Sequence, residues 1–141
     1  MKKITIDISS SELKKLLEDY YKGVYNNDSV AILINARRQV VGIYEDEELV
    51  TKFSVRRNIE VPKFKIGKCT AICEEEITNA EIKKILNEIL EENNYEVDYV
   101  NFHTKSKLIG YGFAEEEEIY FDGISVAVKE KQKLKVKQKN L

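Results

Sequence analysis

Two stretches of the chain repeat apolar residues every three or four positions, and most of the remainder repeats them every second position. Leu13, Leu16, Leu17, Tyr20, Tyr21 and Val24 form one stripe, and Ile82, Ile85, Leu86, Ile89 and Leu90 form the other. That spacing predicts two amphipathic helices, Ser9 to Tyr21 and Thr78 to Leu90. Each opens on a capping box, Ser9 with Glu12 and Thr78 with Glu81, in which a hydroxyl and a carboxylate satisfy the first free N–H groups. Ile4, Ile6 and Ile8 share one face of an expected strand, Lys2 to Ile8, and Phe53, Val55, Ile59 and Val61 share one face of another.

The two halves match each other. Glu12 to Leu17 and Glu81 to Leu86 are identical at four of six positions and differ at the other two only by Leu/Ile exchange. After the first helix, Ser29 to Ala36 is apolar and β-rich, Arg37, Arg38 and Gln39 suggest a turn, and Val40 to Tyr44 leads into Glu45, Asp46, Glu47 and Glu48. After the second, Tyr95 to His103 is followed by an expected turn at Thr104 to Lys107. Leu108 to Phe113 then leads into Glu115, Glu116, Glu117 and Glu118. Gly42 corresponds to Gly110, and the expected third strands, Val50 to Val61 and Ile119 to Val128, follow the acidic blocks.

The expectation is an α+β fold of duplicated β-α-β-β-β units: antiparallel sheet or sheets, two helices and a pseudo-twofold. Residues 1–62 form the first unit, 63–128 the second, and 129–141 a basic strand extension or tail. The second leading strand is expected at Phe64 to Ile72, with Pro62 bending the chain between units. A lone unit of this size is marginal, so the two are expected to pack into one domain.

Composition sharpens this picture. The 141 residues are 43% hydrophobic and 34% charged, with a net charge of −2. Lys129 to Leu141 holds six lysines and one glutamate, net +5, which leaves 17 basic and 24 acidic residues in the rest, net −7. An acidic body disfavours whole-surface binding to DNA or membrane. The first fifteen residues lack the apolar stretch of a signal peptide, and no run nears the ~20 apolar residues of a membrane span, so a cytoplasmic setting is expected. Cys69 and Cys73, on one strand, would sit about 13 Å apart, too far to pair within the ~7 Å a disulfide needs. With a single histidine, C-x-x-x-C is no zinc signature, and no metal or cofactor is expected.

The candidate chemistry is charge and aromatic surface. The acidic blocks read either as solvated turns or as an anionic surface for a basic protein, with Tyr44, Tyr111 and Tyr120 beside them as anchors. Arg37 and Arg38, Arg56 and Arg57, with Lys133, Lys135 and Lys137 of the tail, are the alternative set and would contact phosphate or nucleic acid. Arg57 stands out because its parity puts it on an apolar face, either at a rim with its stem buried or gripping an anion. The tail alternates lysine with Gln132, Leu134, Val136 and Gln138, a pattern that also suits a charged edge strand. His103 is expected to be structural, and no nucleophile or phosphate-loop motif is present, so an enzyme is not expected.

The segments "SSSELKKLL" and "GIYEDEELVTKFSVRRNIEV" resemble small uncharacterised proteins of phages and mobile elements in low-GC Gram-positive bacteria. The resemblance implies a small acidic inhibitor that occludes a host factor, and it assigns no catalytic or ligand residue. The leading expectation is thus a non-enzymatic inhibitor or adaptor facing a basic protein surface. The alternatives are a nucleic-acid binder and a protein that sequesters a small ligand between its two units. Nothing in the pattern sets an oligomeric state.

Overall fold

The computed structural model describes residues 2–44, 46–63 and 67–131. The element order is β1 (Ile4–Ile8), α1 (Ser10–Tyr25), β2 (Ala31–Val41), β3 (Asp46–Pro62), β4 (Lys68–Ile77), α2 (Asn79–Glu91), β5 (Tyr95–Ile109) and β6 (Glu116–Glu130). The fold is α+β: two helices and two three-stranded antiparallel sheets, ordered β1-β6-β5 and β2-β3-β4. Strand–helix–strand–strand occurs twice in sequence, but the sheets do not follow that division. β1 pairs with β6, register Ile4↔Val128 to Ile8↔Ile124, and β4 pairs with β3. Each sheet therefore takes a long hairpin from one half of the chain and a single strand from the other.

Three strands were expected after each helix, and two are found. The residues expected to turn, Arg37 to Gln39 and Thr104 to Lys107, lie inside continuous strands. β2 stays in register with β3 from Ala31↔Arg56 to Val41↔Asp46, and β5 pairs with β6 as far as Ile109↔Glu116. The reason is backbone chemistry: neither stretch holds a glycine or proline, and charged residues in extended backbone pair well enough. The chain reverses where glycine permits a left-handed conformation, at Gly42 (φ 76°) and at Gly110 (φ 93°). The acidic blocks move with this correction. Asp46 to Glu48 and Glu116 to Glu118 are strand residues, not turn residues. The second leading strand also begins later than expected, at Lys68, and Phe64 to Ile66 lie outside the described residues.

The helices fall where the pattern put them, α1 running four residues further and α2 one. Ser9 accepts from the Glu12 N–H at 3.1 Å, and the Glu12 carboxylate accepts from the Ser9 N–H at 3.2 Å. Thr78 likewise accepts from the Glu81 N–H at 3.1 Å, but its hydroxyl donates to the Glu81 carboxylate, which is thereby engaged side chain to side chain. Leu13, Leu17 and Tyr21 of α1, and Ile82, Ile85 and Leu86 of α2, enter one core with both sheets. Val24, expected on the α1 stripe, is 56% exposed at the last turn, where Tyr21 and Tyr25 take the core-facing positions. The helices meet at a hydrogen bond from the Tyr20 hydroxyl to Glu88, 3.3 Å.

The two sheets join through the inner faces of the hairpins. Phe53 of β3 is fully buried, with ring centroids 5.7 Å from Phe102 of β5 and 5.1 Å from Phe121 of β6. Beside it the hydroxyls of Thr51 and Thr104 meet at 2.6 Å, which satisfies a polar pair in a largely apolar layer. Gly123 of β6 (φ 86°) passes the β1–α1 junction so closely that a Cβ there would run into the carbonyl of Ile8. Phe53→Ala should cost about 3–5 kcal/mol, as deletion of a core aromatic does. Val24→Ala should stay within about 0.5 kcal/mol. Urea unfolding of the two variants checks this, and equal midpoints would place the core elsewhere.

Candidate functional site

Beyond Phe53 both hairpins run on past the helices, and only each other's inner faces cover them. On β2 the inward row is Ile32, Ile34, Ala36, Arg38 and Val40 by strand alternation, and on β6 it includes Glu117, Ile119 and Phe121. The row changes from apolar to charged at Arg38 and Glu117. The Arg38 guanidinium grips the Glu117 carboxylate with two nitrogens, Nε at 2.9 Å and Nη2 at 2.5 Å, and its Nη1 donates to Glu47 at 3.4 Å. This forked pair ties the β2–β3 hairpin to the β5–β6 hairpin.

Past that clasp the apolar positions continue without cover. Val40 is 59% exposed and Leu108 66%. At the turns Ile43 is 94% exposed, Tyr44 88% and Tyr111 92%, and Phe113, in the short 3-10 turn Gly112–Ala114, is fully exposed. With Ile109, seven of the ten exposed large hydrophobic residues among those described sit at these two tips. Soluble chains seldom leave large apolar side chains clustered in water. The tips are also acidic: residues 37–49 and 107–119 hold three basic and eight acidic side chains, net −5.

The expected site residues are distributed accordingly. Tyr44 and Tyr111 are at the tips. Tyr120 is half-buried on the outer face, with the Lys107 ammonium 5.3 Å from its ring centroid, and does not join them. Glu47 and Glu117 are engaged by Arg38, and Glu118 pairs with Lys107 at 3.7 Å. Among the described residues Asp46, Glu48, Glu115 and Glu116 are exposed and make no ion pair within 4.0 Å. Glu45 lies outside the described residues. Ile43, Leu108 and Phe113 were missed, although for two of them the signal was in the sequence: Ile43 follows Gly42 and Phe113 follows Gly112.

The arginines do not form one surface. Arg38 is in the clasp, whereas Arg56 pairs with Glu74 at 2.9 Å and Arg57 with Glu75 at 3.1 Å, both on β4. Arg57 lies on the face its parity indicated, with its guanidinium 3.7 Å above the Tyr25 ring and its side chain only 17% exposed. Arg37 is exposed on β2. Lys133, Lys135 and Lys137 lie outside the described residues.

Two further features bear on the other expectations. A cleft of about 420 Å³ is lined by Leu49, Thr51, Lys52, Ile77, Thr78, Phe102 and Thr104, where β3, β4, β5 and the start of α2 meet. His103 sits at a bulge in β5, its Nε2 2.7 Å from the Ser125 hydroxyl, which donates to Asp7 at 2.9 Å. With the serine O–H donated to the carboxylate, the tautomer that completes the contact has the imidazole N–H donating to the serine oxygen. That order is the reverse of a general base activating a nucleophile. No family model, curated protein or solved structure matches the chain, and among the described residues no helix is long and apolar enough to cross a membrane.

The clasp has a pH signature. The hydrogen bond from Arg38 holds the Glu117 carboxyl below its usual range, against an opposing push from desolvation, and the arginine charge and Ser106 add to the lowering. Because the folded value lies below the unfolded one, the pair contributes stability above the unfolded carboxylate range. That contribution is lost as pH falls through the folded value. Arg38→Gln should move the Glu117 titration upward, and the stability gap between the two proteins should close in acid. Carboxyl NMR titration with urea midpoints at several pH values measures both; a gap that is constant with pH would show that the clasp does not operate.

Proposed function

We propose that this chain is a non-enzymatic binding protein, an inhibitor or adaptor, whose paired hairpin tips dock on a protein surface that is apolar at its centre and basic at its rim. The observation that carries this reading is the concentration of uncovered apolar side chains at the two tips, held together by the Arg38–Glu117 clasp. Tips already held together by an ion pair have less entropy to lose on binding, and tyrosine and phenylalanine are the side chains interfaces use as anchors. The acidic flank selects a basic rim and speeds encounter. It also disfavours an anionic membrane or nucleic acid, the other surfaces an exposed aromatic tip could enter. The arginines lend the nucleic-acid alternative little support, because three of the four are already engaged by carboxylates. The order of Asp7, Ser125 and His103 likewise favours binding over catalysis.

The test is affinity capture from nuclease-treated lysate, followed by titration of the captured protein, purified, against variants. Phe113→Ser should weaken binding about 30-fold, the scale of an interface anchor worth about 2 kcal/mol. The Glu115→Lys, Glu116→Lys pair should slow association and flatten its salt dependence. Both variants should unfold at the parent's urea midpoint. Capture indifferent to both variants, or binding to lipid vesicles or DNA in place of a protein, would overturn the proposal.

A further inference from the structure

The acidic, apolar tips and the lysine-rich segment lie at opposite ends of the same strand. β6 begins at the tip with Glu116 and ends at Glu130, about 45 Å away at ~3.3 Å per residue. The basic segment starts there from a fixed point. The Lys131 N–H donates to the Asn94 carbonyl at 2.8 Å, and its ammonium pairs with Glu91 at 2.7 Å. From Lys131, even a fully extended chain carries Lys139 only about 28 Å. The lysines cannot reach the tips of their own molecule.

They match those tips in chemistry. Lys131, Lys133, Lys135, Lys137 and Lys139 alternate with Leu134 and Val136 among the even positions. Extended backbone would therefore present lysines on one face and apolar side chains on the other. The tips offer a net charge of −5 beside uncovered Ile43, Tyr44, Tyr111 and Phe113. Tip-to-tip pairing would instead oppose two like charges of that size, which costs free energy.

We infer that the tips of one molecule receive the segment Lys133 to Lys139 of a second copy, head to tail. This rests on the tip reading above and names a partner for it. The contact is heterologous: each molecule keeps one free tip and one free basic segment, so association is open-ended and grows with concentration. It is also salt-sensitive, because its charged part is exposed.

Sedimentation velocity of the full chain tests this directly. In low salt the average mass should rise above 16.4 kDa with concentration, and it should fall back to the monomer in high salt. A triple variant, Lys133→Glu, Lys135→Glu and Lys137→Glu, should remain monomeric, as should a tip variant, Phe113→Ser with Glu115→Lys and Glu116→Lys. Mixing the two should gain nothing from the charge-reversed groups but should restore a dimer that grows no further. That dimer joins the one intact tip, on the tail variant, to the one intact segment, on the tip variant. A full chain that stays at 16.4 kDa at every concentration overturns the inference, as does a tail variant that associates like the parent. If the monomeric result comes with a captured protein that the tip variant still loses, only self-association fails. If the tip variant changes neither, the tip reading fails with it.

Discussion

Burial of Phe53 between the two hairpins is the interaction on which the rest of this structure depends. Its ring meets Phe102 and Phe121 from the other sheet, so one side chain fixes how the β2–β3 and β5–β6 hairpins face each other. The sheets need that join because neither is complete by itself: β1 and β4 each pair with a hairpin from the opposite half of the chain. The helices then close the core on one side of Phe53, through Leu13, Leu17, Ile82 and Leu86. On the other side the hairpins project beyond any helix, and their inner faces have only each other.

That geometry explains the charge pattern of the arms. An inward row left purely apolar would need tight packing along its whole length, and an inward charge without a partner would be costly. The row is interrupted by a forked ion pair, Arg38 with Glu117, which is exposed enough to keep water at its edges and specific enough to hold two tips side by side. The same acidic run serves three purposes at successive positions. Glu117 turns inward to the clasp, Glu118 pairs across the strand with Lys107, and Glu115 and Glu116 remain exposed beside Phe113. Period-two alternation separates these roles, because adjacent strand residues point to opposite faces.

Both helices were legible in the sequence, with their caps and buried faces, since a 3.6-residue stripe and a capping hydroxyl act locally. The unpaired cysteines on one strand were legible for the same reason. The hairpins were misjudged in one respect. Charged residues at Arg37 to Gln39 and Thr104 to Lys107 suggested turns, yet a turn needs a residue that tolerates left-handed backbone, and those were Gly42 and Gly110. Moving the turns carried the acidic blocks into strands and left Ile43, Tyr111 and Phe113 as the tips. Tyr120, placed beside the acidic block by sequence, lies instead under Lys107 on the outer face.

Residue order alone determined the two helices and the apolar strand segments, which face of each is apolar, and that the chain is acidic in its body and basic from Lys129 onward. These follow from local propensity and periodicity, which need no knowledge of neighbours. Tertiary structure decided the rest: that β1 and β4 cross into each other's sheets, that Arg38 finds Glu117 seventy-nine positions away, and that two apolar tips come to stand together uncovered. Pairing across such distances in sequence depends on which surfaces remain after the core has closed, and no local pattern encodes that.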